Sequence, residues 1–92
     1  MRHYDRVDVF PARKEDRPHS QRICTDELFE ELQSLVGGFI IAIYPEKRPE
    51  YVWIYDEEGI PKQLPKNYHI WNIFKLEMYG TVIEIPRTIW ER

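Results

Sequence analysis

The sequence predicts a small α+β domain in which an antiparallel sheet of four or five strands packs on one helix. Three patterns lead to this prediction: an amphipathic stretch at 25–36, two apolar stretches at 39–44 and 51–55, and period-two alternation at 4–10 and 81–85. The expected order is β-β-α-β-β-cover-β, where the cover is an apolar segment packed over the sheet. A chain of 92 residues is below the usual domain size, so we expect one domain over residues 1–92.

An N-terminal hairpin is the first expected unit. Val7 and Val9 alternate with polar residues, which predicts a half-exposed strand. A polar loop follows, and residues 19–24 are expected to return as a second strand. We interpret residues 1–24 as a hairpin extension attached to a core at 25–86.

The helix is the most sharply bounded element in the sequence. Thr25 is expected to be its N-cap, because a hydroxyl can accept a hydrogen bond from a free backbone N–H of the first turn. The helix should end at Gly37, since glycine adopts the left-handed conformation at little cost. Its apolar stripe should face the sheet, with Leu32 fully buried; it consists of Leu28, Leu32, Leu35 and Val36.

Two strong strands follow the helix. Residues 39–44 are apolar on both alternating faces, a pattern typical of a central strand that is covered on both sides. Residues 51–55 form the second strand, and the two should pair as an antiparallel hairpin. The acidic residues at 56–58 are expected to form a solvent-exposed turn.

The last third of the chain is less regular. Pro61 and Pro65 oppose regular structure at its start, but residues 67–80 are too apolar for a solvated loop. They are expected to pack over the sheet and to include a short helix. Residues 81–85 then form the last strand, with Ile83 and Ile85 on one face and Val82 and Glu84 on the other.

Three aromatic rings are the main candidate binding site. Side chains alternate along a strand, so Tyr51, Trp53 and Tyr55 should share one face while the aliphatic residues between them face the helix. The rings could form a platform that stacks a planar ligand or anchors a partner protein. Alternatively, residues 68–78 cover them and they belong to the core. We expect partial burial of Trp53, with one ring edge exposed at a cleft.

Asn67 is the fourth candidate binding residue and is expected beside that cleft. Its amide can both donate and accept, as contact with a base edge or a peptide segment would require. The alternative is that it caps its own backbone in a turn.

No pattern of catalytic or metal-binding residues is present. Cys24 is the sole cysteine, and the three histidines are scattered, so neither a nucleophile with its base nor a set of zinc ligands can be recognised. We therefore expect no enzymatic activity, no cofactor and no metal.

Charge and cysteine content exclude several classes of protein. A formal net charge of -3 argues against general nucleic-acid binding. One cysteine and no apolar leader argue against a secreted, disulfide-bonded domain. The longest apolar run, 39–44, is too short to span a membrane, so we expect a cytoplasmic protein.

Four short motifs resemble a family of small uncharacterised proteins encoded by phages, prophages and plasmids. They are Leu32-Gln33 with Val36-Gly37-Gly38 and Ile40, Glu57-Glu58-Gly59, Leu64-Pro65 with Asn67, and Gly80-Thr81. The resemblance spans roughly residues 28–84 and carries no established activity. It implies an accessory protein of a mobile element acting inside a bacterial host cell, where a counter-defence role would fit.

Two functions remain open at this stage. The first is a protein–protein interaction module that acts on a host protein. The second is an oligomeric protein that sequesters a small, nucleotide-type signal between aromatic rings and arginines. In either case we expect a homodimer that buries a sheet face or an edge strand, because so short a chain has little mass to cover both faces of an apolar sheet.

Overall fold

The computed structural model describes all 92 residues and contains five strands and three helices. The elements in chain order are β1 (Tyr4–Phe10), β2 (His19–Cys24), a 3-10 turn (Thr25–Glu27), α1 (Leu28–Val36), β3 (Ile40–Ile43), β4 (Tyr51–Asp56), α2 (Tyr68–Phe74), β5 (Val82–Pro86) and α3 (Arg87–Trp90). All five strands join one antiparallel sheet in the order β2-β1-β5-β4-β3. The predicted fold class and element order are confirmed, and α3 is an addition. None of the helices is long and apolar enough to cross a membrane.

The sheet has an apolar cluster on each face. Towards α1 lies the larger cluster, which comprises Val7, Val9, Ile23, Leu32, Val36, Val52, Ile54, Ile83, Ile85 and Ile89. On the opposite face, a smaller cluster comprises Trp53, Ile70, Met78 and Val82. Alternation along β4 and β5 divides their residues between the two clusters as predicted. The segment that contains α2 forms a third layer over the second face.

The N-terminal hairpin is part of the sheet and not an extension, so this part of the domain prediction is wrong. β1 lies between β2 and β5, with Asp8 opposite Glu84 and Phe10 opposite Val82. The buried side chain of Ile23 in β2 belongs to the same cluster as Leu32 in α1. The local sequence pattern of the hairpin does not reveal that β5, from the far end of the chain, pairs with β1.

The start of α1 also differs from the prediction. Thr25 begins a 3-10 turn and does not cap α1, whose N-cap residue is Glu27 without a side-chain cap. Both the backbone N–H and the hydroxyl of Thr25 donate to the carbonyl of His3, at 2.9 and 3.3 Å. The β1–β2 ladder therefore holds this residue. The end of α1 is as predicted: Gly37 has φ 89° and its N–H donates to the carbonyl of Gln33.

Strand β3 is an edge strand, which corrects the prediction of a central one. It pairs only with β4, through Ile40 opposite Asp56 and Ile43 opposite Trp53. Its two apolar faces are real, since Ile40 and Ala42 pack against the α1 cluster and Ile43 against the other. Apolar side chains on both faces of a strand indicate that other layers pack above and below it. They do not indicate whether the strand has one neighbour in the sheet or two.

Candidate functional site

Trp53 lies inside the second apolar cluster and has no exposed surface. Its ring packs edge-to-face against Phe74, with centroids 4.9 Å apart, and its indole N–H donates to Glu84 at 2.9 Å. The alternative in which residues 68–78 cover this face is confirmed, and the expected exposed ring edge is wrong. The cover is complete because α2 and Met78 bring apolar side chains directly over β4.

An ion pair between buried Glu84 and half-buried Arg48 closes the same face near Tyr51. Glu84 is buried and accepts two hydrogen bonds from Arg48, at 2.7 and 3.1 Å. The guanidinium also stacks over the Tyr51 ring, 4.5 Å from its centroid. The Glu84 hydrogen bonds hold the pKa of Arg48 above its usual value, despite partial desolvation. Tyr51 is thus half-covered by a structural arginine.

Asn67 is fully buried, and its amide is used within the fold. Its side-chain oxygen accepts from the backbone N–H of Ile70 at 2.9 Å, which makes it the N-cap of α2. Its NH₂ group donates to the carbonyls of Phe10 and Gly80, at 2.8 and 2.9 Å. The backbone-capping alternative is therefore confirmed. Both amide hydrogens tie α2 to the sheet, so Asn67 has no donor left for a ligand.

Tyr55 lines a cleft that the other three predicted binding residues do not line. A cleft of about 410 Å³, partly open to solvent, lies between the β3–β4 edge and the loops at 59–61 and 76–79. Seven of its lining residues are apolar or aromatic: Ile43, Tyr55, Ile60, Pro61, Leu76, Met78 and Tyr79. A volume of this size lies within the range of small-ligand sites, so the cleft has room for a large side chain as well.

The cleft carries negative charge. Asp56, Glu57 and Glu77 line it, and no lysine or arginine does. Glu57 and Glu77 are exposed, and Glu77 lies 3.7 Å from the amine of Lys66. The two exposed carboxylates therefore give the rim of an apolar cleft an acidic character.

Asp56 differs from its two acidic neighbours, because it is buried and not part of a solvent-exposed turn as expected. One carboxylate oxygen accepts from the backbone N–H of Glu58 and the other from the amine of Lys62, each at 2.8 Å. Burial alone would raise the pKa of Asp56, but these two hydrogen bonds and the charge of Lys62 outweigh it and hold the pKa below its usual value. A side chain at Gly38 would place its Cβ 2.5 Å from the Lys62 amine and 2.7 Å from an Asp56 carboxylate oxygen, so it would displace this ion pair.

Sequence reasoning missed Ile60 and Leu76, the two cleft residues that belong to the large hydrophobic side chains exposed on the surface. Ile60 is 71% exposed, between Gly59 and Pro61 in a turn. An aliphatic side chain isolated in a turn shows no periodicity, so no pattern marks it. The one available signal was an isoleucine at a position where polar residues are usual.

The titratable residues considered for catalysis or metal binding lie apart from the cleft. Cys24 is buried beside Asp26, which also contacts His3. His19 and His69 contact backbone carbonyls. No three His, Cys, Asp or Glu side chains are grouped closely enough to hold a metal ion.

No family model, curated protein or solved structure matches the chain. The family resemblance of the four motifs therefore stays a prediction.

Proposed function

We propose that the chain is a non-enzymatic protein-binding module that holds an apolar side chain of a partner protein in the cleft beside β3. The observation that carries the proposal is the exposed apolar lining of this cleft, above all Ile60 and Leu76. Apolar surface gathered around a concavity and left in water is characteristic of interaction sites. A partner side chain that displaces this water would supply the binding free energy.

The charge of the cleft favours a protein segment over the alternative, a nucleotide-type signal. A nucleotide is anionic, and the exposed carboxylates of Glu57 and Glu77 would repel it, because only Glu77 has a lysine near it, 3.7 Å away, and no lysine or arginine lines the cleft. The same carboxylates would attract lysine or arginine. The expected partner segment therefore carries a large apolar residue flanked by basic residues.

The biological setting of the proposal comes from the motif resemblance. An accessory protein of a mobile element would meet its partner in the cytoplasm of a bacterial host, and we propose a host protein as that partner. A role in counter-defence is one use of such binding.

A displayed peptide library tests the binding preference directly. Random 12-residue peptides on phage would be panned against the purified chain, and selected peptides would be synthesised and titrated. We expect the selected sequences to share a large apolar residue next to lysine or arginine. Ile60→Ser should weaken their binding by about tenfold or more, because it removes exposed apolar contact area without touching the core.

Ile73→Ser is the matched control, since Ile73 is 56% exposed but does not line the cleft. Peptides should bind this variant as they bind the parent chain. A library that yields no enriched peptides, or peptides that respond equally to both serine variants, would refute the cleft as the binding site. Enrichment of acidic peptides would refute the electrostatic part of the proposal.

A further inference from the structure

We infer that two copies of this chain join edge to edge through β3, forming one continuous ten-stranded sheet in which each copy extends the other's cleft. The inference goes beyond the proposed function and does not depend on it. It rests on the hydrogen-bonding register of β3, on the composition of this strand, and on the exposed apolar residues at its two ends.

The register shows which backbone groups of β3 are free. The carbonyl of Phe39 accepts from the N–H of Glu57 at 2.9 Å, so this pair belongs to the hydrogen-bonded set of the antiparallel ladder. Such pairs alternate along a ladder, so Ile41 and Ile43 also bond to β4. Ile40 and Ala42 must then direct their N–H and C=O groups away from the sheet. Those four groups form an open template for another strand.

The composition of β3 is that of a central strand. Its four residues, IIAI, contain no charge and no proline, and Phe39 and Tyr44 on either side are also uncharged. Exposed sheet edges are ordinarily protected by a short strand, lysine, proline or a bulge, and β3 has only the first of these, with four residues. Because β3 has the composition of a central strand, pairing with a second copy would place it in the position that its composition suits.

The identity of the occupant follows from the symmetry of the strand. When two antiparallel copies of β3 are centred on Ile41, Ile40 of one copy lies opposite the partner's Ala42. By symmetry, Ala42 of the first copy lies opposite the partner's Ile40. Both pairs present outward groups to each other, so the ladder gains four backbone hydrogen bonds without any shift of β3. No charged residue opposes another anywhere between 38 and 44.

The same register covers the exposed apolar residues at both ends of β3. Phe39 is 65% exposed and Tyr44 is 51% exposed. Phe39 comes opposite the partner's Ile43, which lines the partner's cleft, and Tyr44 comes opposite the partner's Gly38. The aromatic ring of one copy thus continues the apolar wall of the other copy's cleft, and a glycine faces the second ring.

Sedimentation equilibrium over a range of concentrations tests the dimer. A short strand pair is a small interface, so the series should reach about 1 mM, where a dissociation constant of that order is still visible. We expect the mass to approach twice the 11.3 kDa of the chain. Ile41→Lys should return it to one chain mass, because two lysines would meet at the symmetry axis. Ile73→Lys, the same change at another exposed isoleucine, should not.

Disulfide trapping tests the register independently of any effect on stability. Opposite residues of a non-hydrogen-bonded pair have Cα atoms about 4.5 Å apart, within the range of about 4.4–6.8 Å for a disulfide. Ile41→Cys should therefore give a covalent dimer on mild oxidation, whereas Phe29→Cys, also exposed, should not. The inference is overturned if the mass stays at 11.3 kDa at every concentration. It is also overturned if a dimer forms that Ile41→Lys does not dissociate and Ile41→Cys does not cross-link. Peptide binding by a monomer would leave the proposed function standing.

Discussion

The two edges of the sheet differ in how their outward backbone groups are protected. At β2, the same alternation places Ser20, Arg22 and Cys24 outward. The N–H of Cys24 donates to the carboxylate of Glu31 in α1 at 3.3 Å, and the guanidinium of Arg22 lies 3.9 Å from the ring centre of Tyr4. The β2 edge is thus polar, charged and partly capped.

The β3 edge has none of these features. The outward groups of Ile40 and Ala42 have no partner in the fold, and Ile41 beside them is 39% exposed. The difference shows that one sheet can have an edge closed to further pairing and an edge open to it. What decides is the kind of residue placed at the outward positions and not the sheet itself.

Truncation of an isoleucine at each edge should give the largest contrast. Ile23 in β2 is buried in the main cluster, so Ile23→Ala should lower the free energy of unfolding by about 2–5 kcal/mol. Ile41→Ala in β3 should cost less than about 1 kcal/mol, because the side chain is partly solvated already. Urea titrations of dilute protein measure both values, and similar losses would contradict the difference in burial between Ile23 and Ile41.

Acid should affect the two edges unequally. Asp56, opposite Ile40 in the ladder, has a pKa below its usual value. Its carboxylate therefore stabilises the fold at pH values above the unfolded-state pKa of about 3.9. This contribution is lost as the pH falls through the folded-state pKa. Asp56→Asn should therefore be less stable than the parent chain at pH 7, and the difference should shrink below about pH 4. Melting curves across this pH range measure it.

Asp26→Asn is the control at the β2 end. The pKa of Asp26 is also lowered, by hydrogen bonds from the backbone and side chain of His3, but this carboxylate is solvent-exposed. Its contribution to stability should be the smaller of the two. If Asp26→Asn had the larger pH-dependent effect, the pair of buried Asp56 with Lys62 would not be the main acid-sensitive contact.

Amide hydrogen exchange should reveal the smallest effect. In dilute protein the amides of Ile40 and Ala42 should exchange quickly, because they lack an acceptor, while those of Ile41 and Ile43 should be slower. Raising the protein concentration should slow Ile40 and Ala42 selectively if β3 pairs with a second copy. Exchange at these two amides that does not depend on concentration would mean that the edge stays open.

Much of the fold could be predicted because local patterns encode it. Period-two alternation located β1 and β5, and the i, i+4, i+7, i+8 stripe with Gly37 located α1 and its end. The candidate site was less accessible. Of the four residues nominated for binding, only Tyr55 lines the cleft, because residues 68–78 bury Trp53, Arg48 covers Tyr51, and Asn67 caps α2.

The sequence by itself determined the five strands, the body and end of α1, and which side chains share a face, because these depend on dihedral preferences and periodicity within a few residues. Only the tertiary structure decided which strands are neighbours. β1 pairs with β5 across more than seventy residues of chain, and that pairing leaves β3 at the edge. It also brings the carbonyls of Phe10 and Gly80 to the amide of Asn67. Such contacts depend on the packing of distant segments on both sheet faces, which no local pattern records.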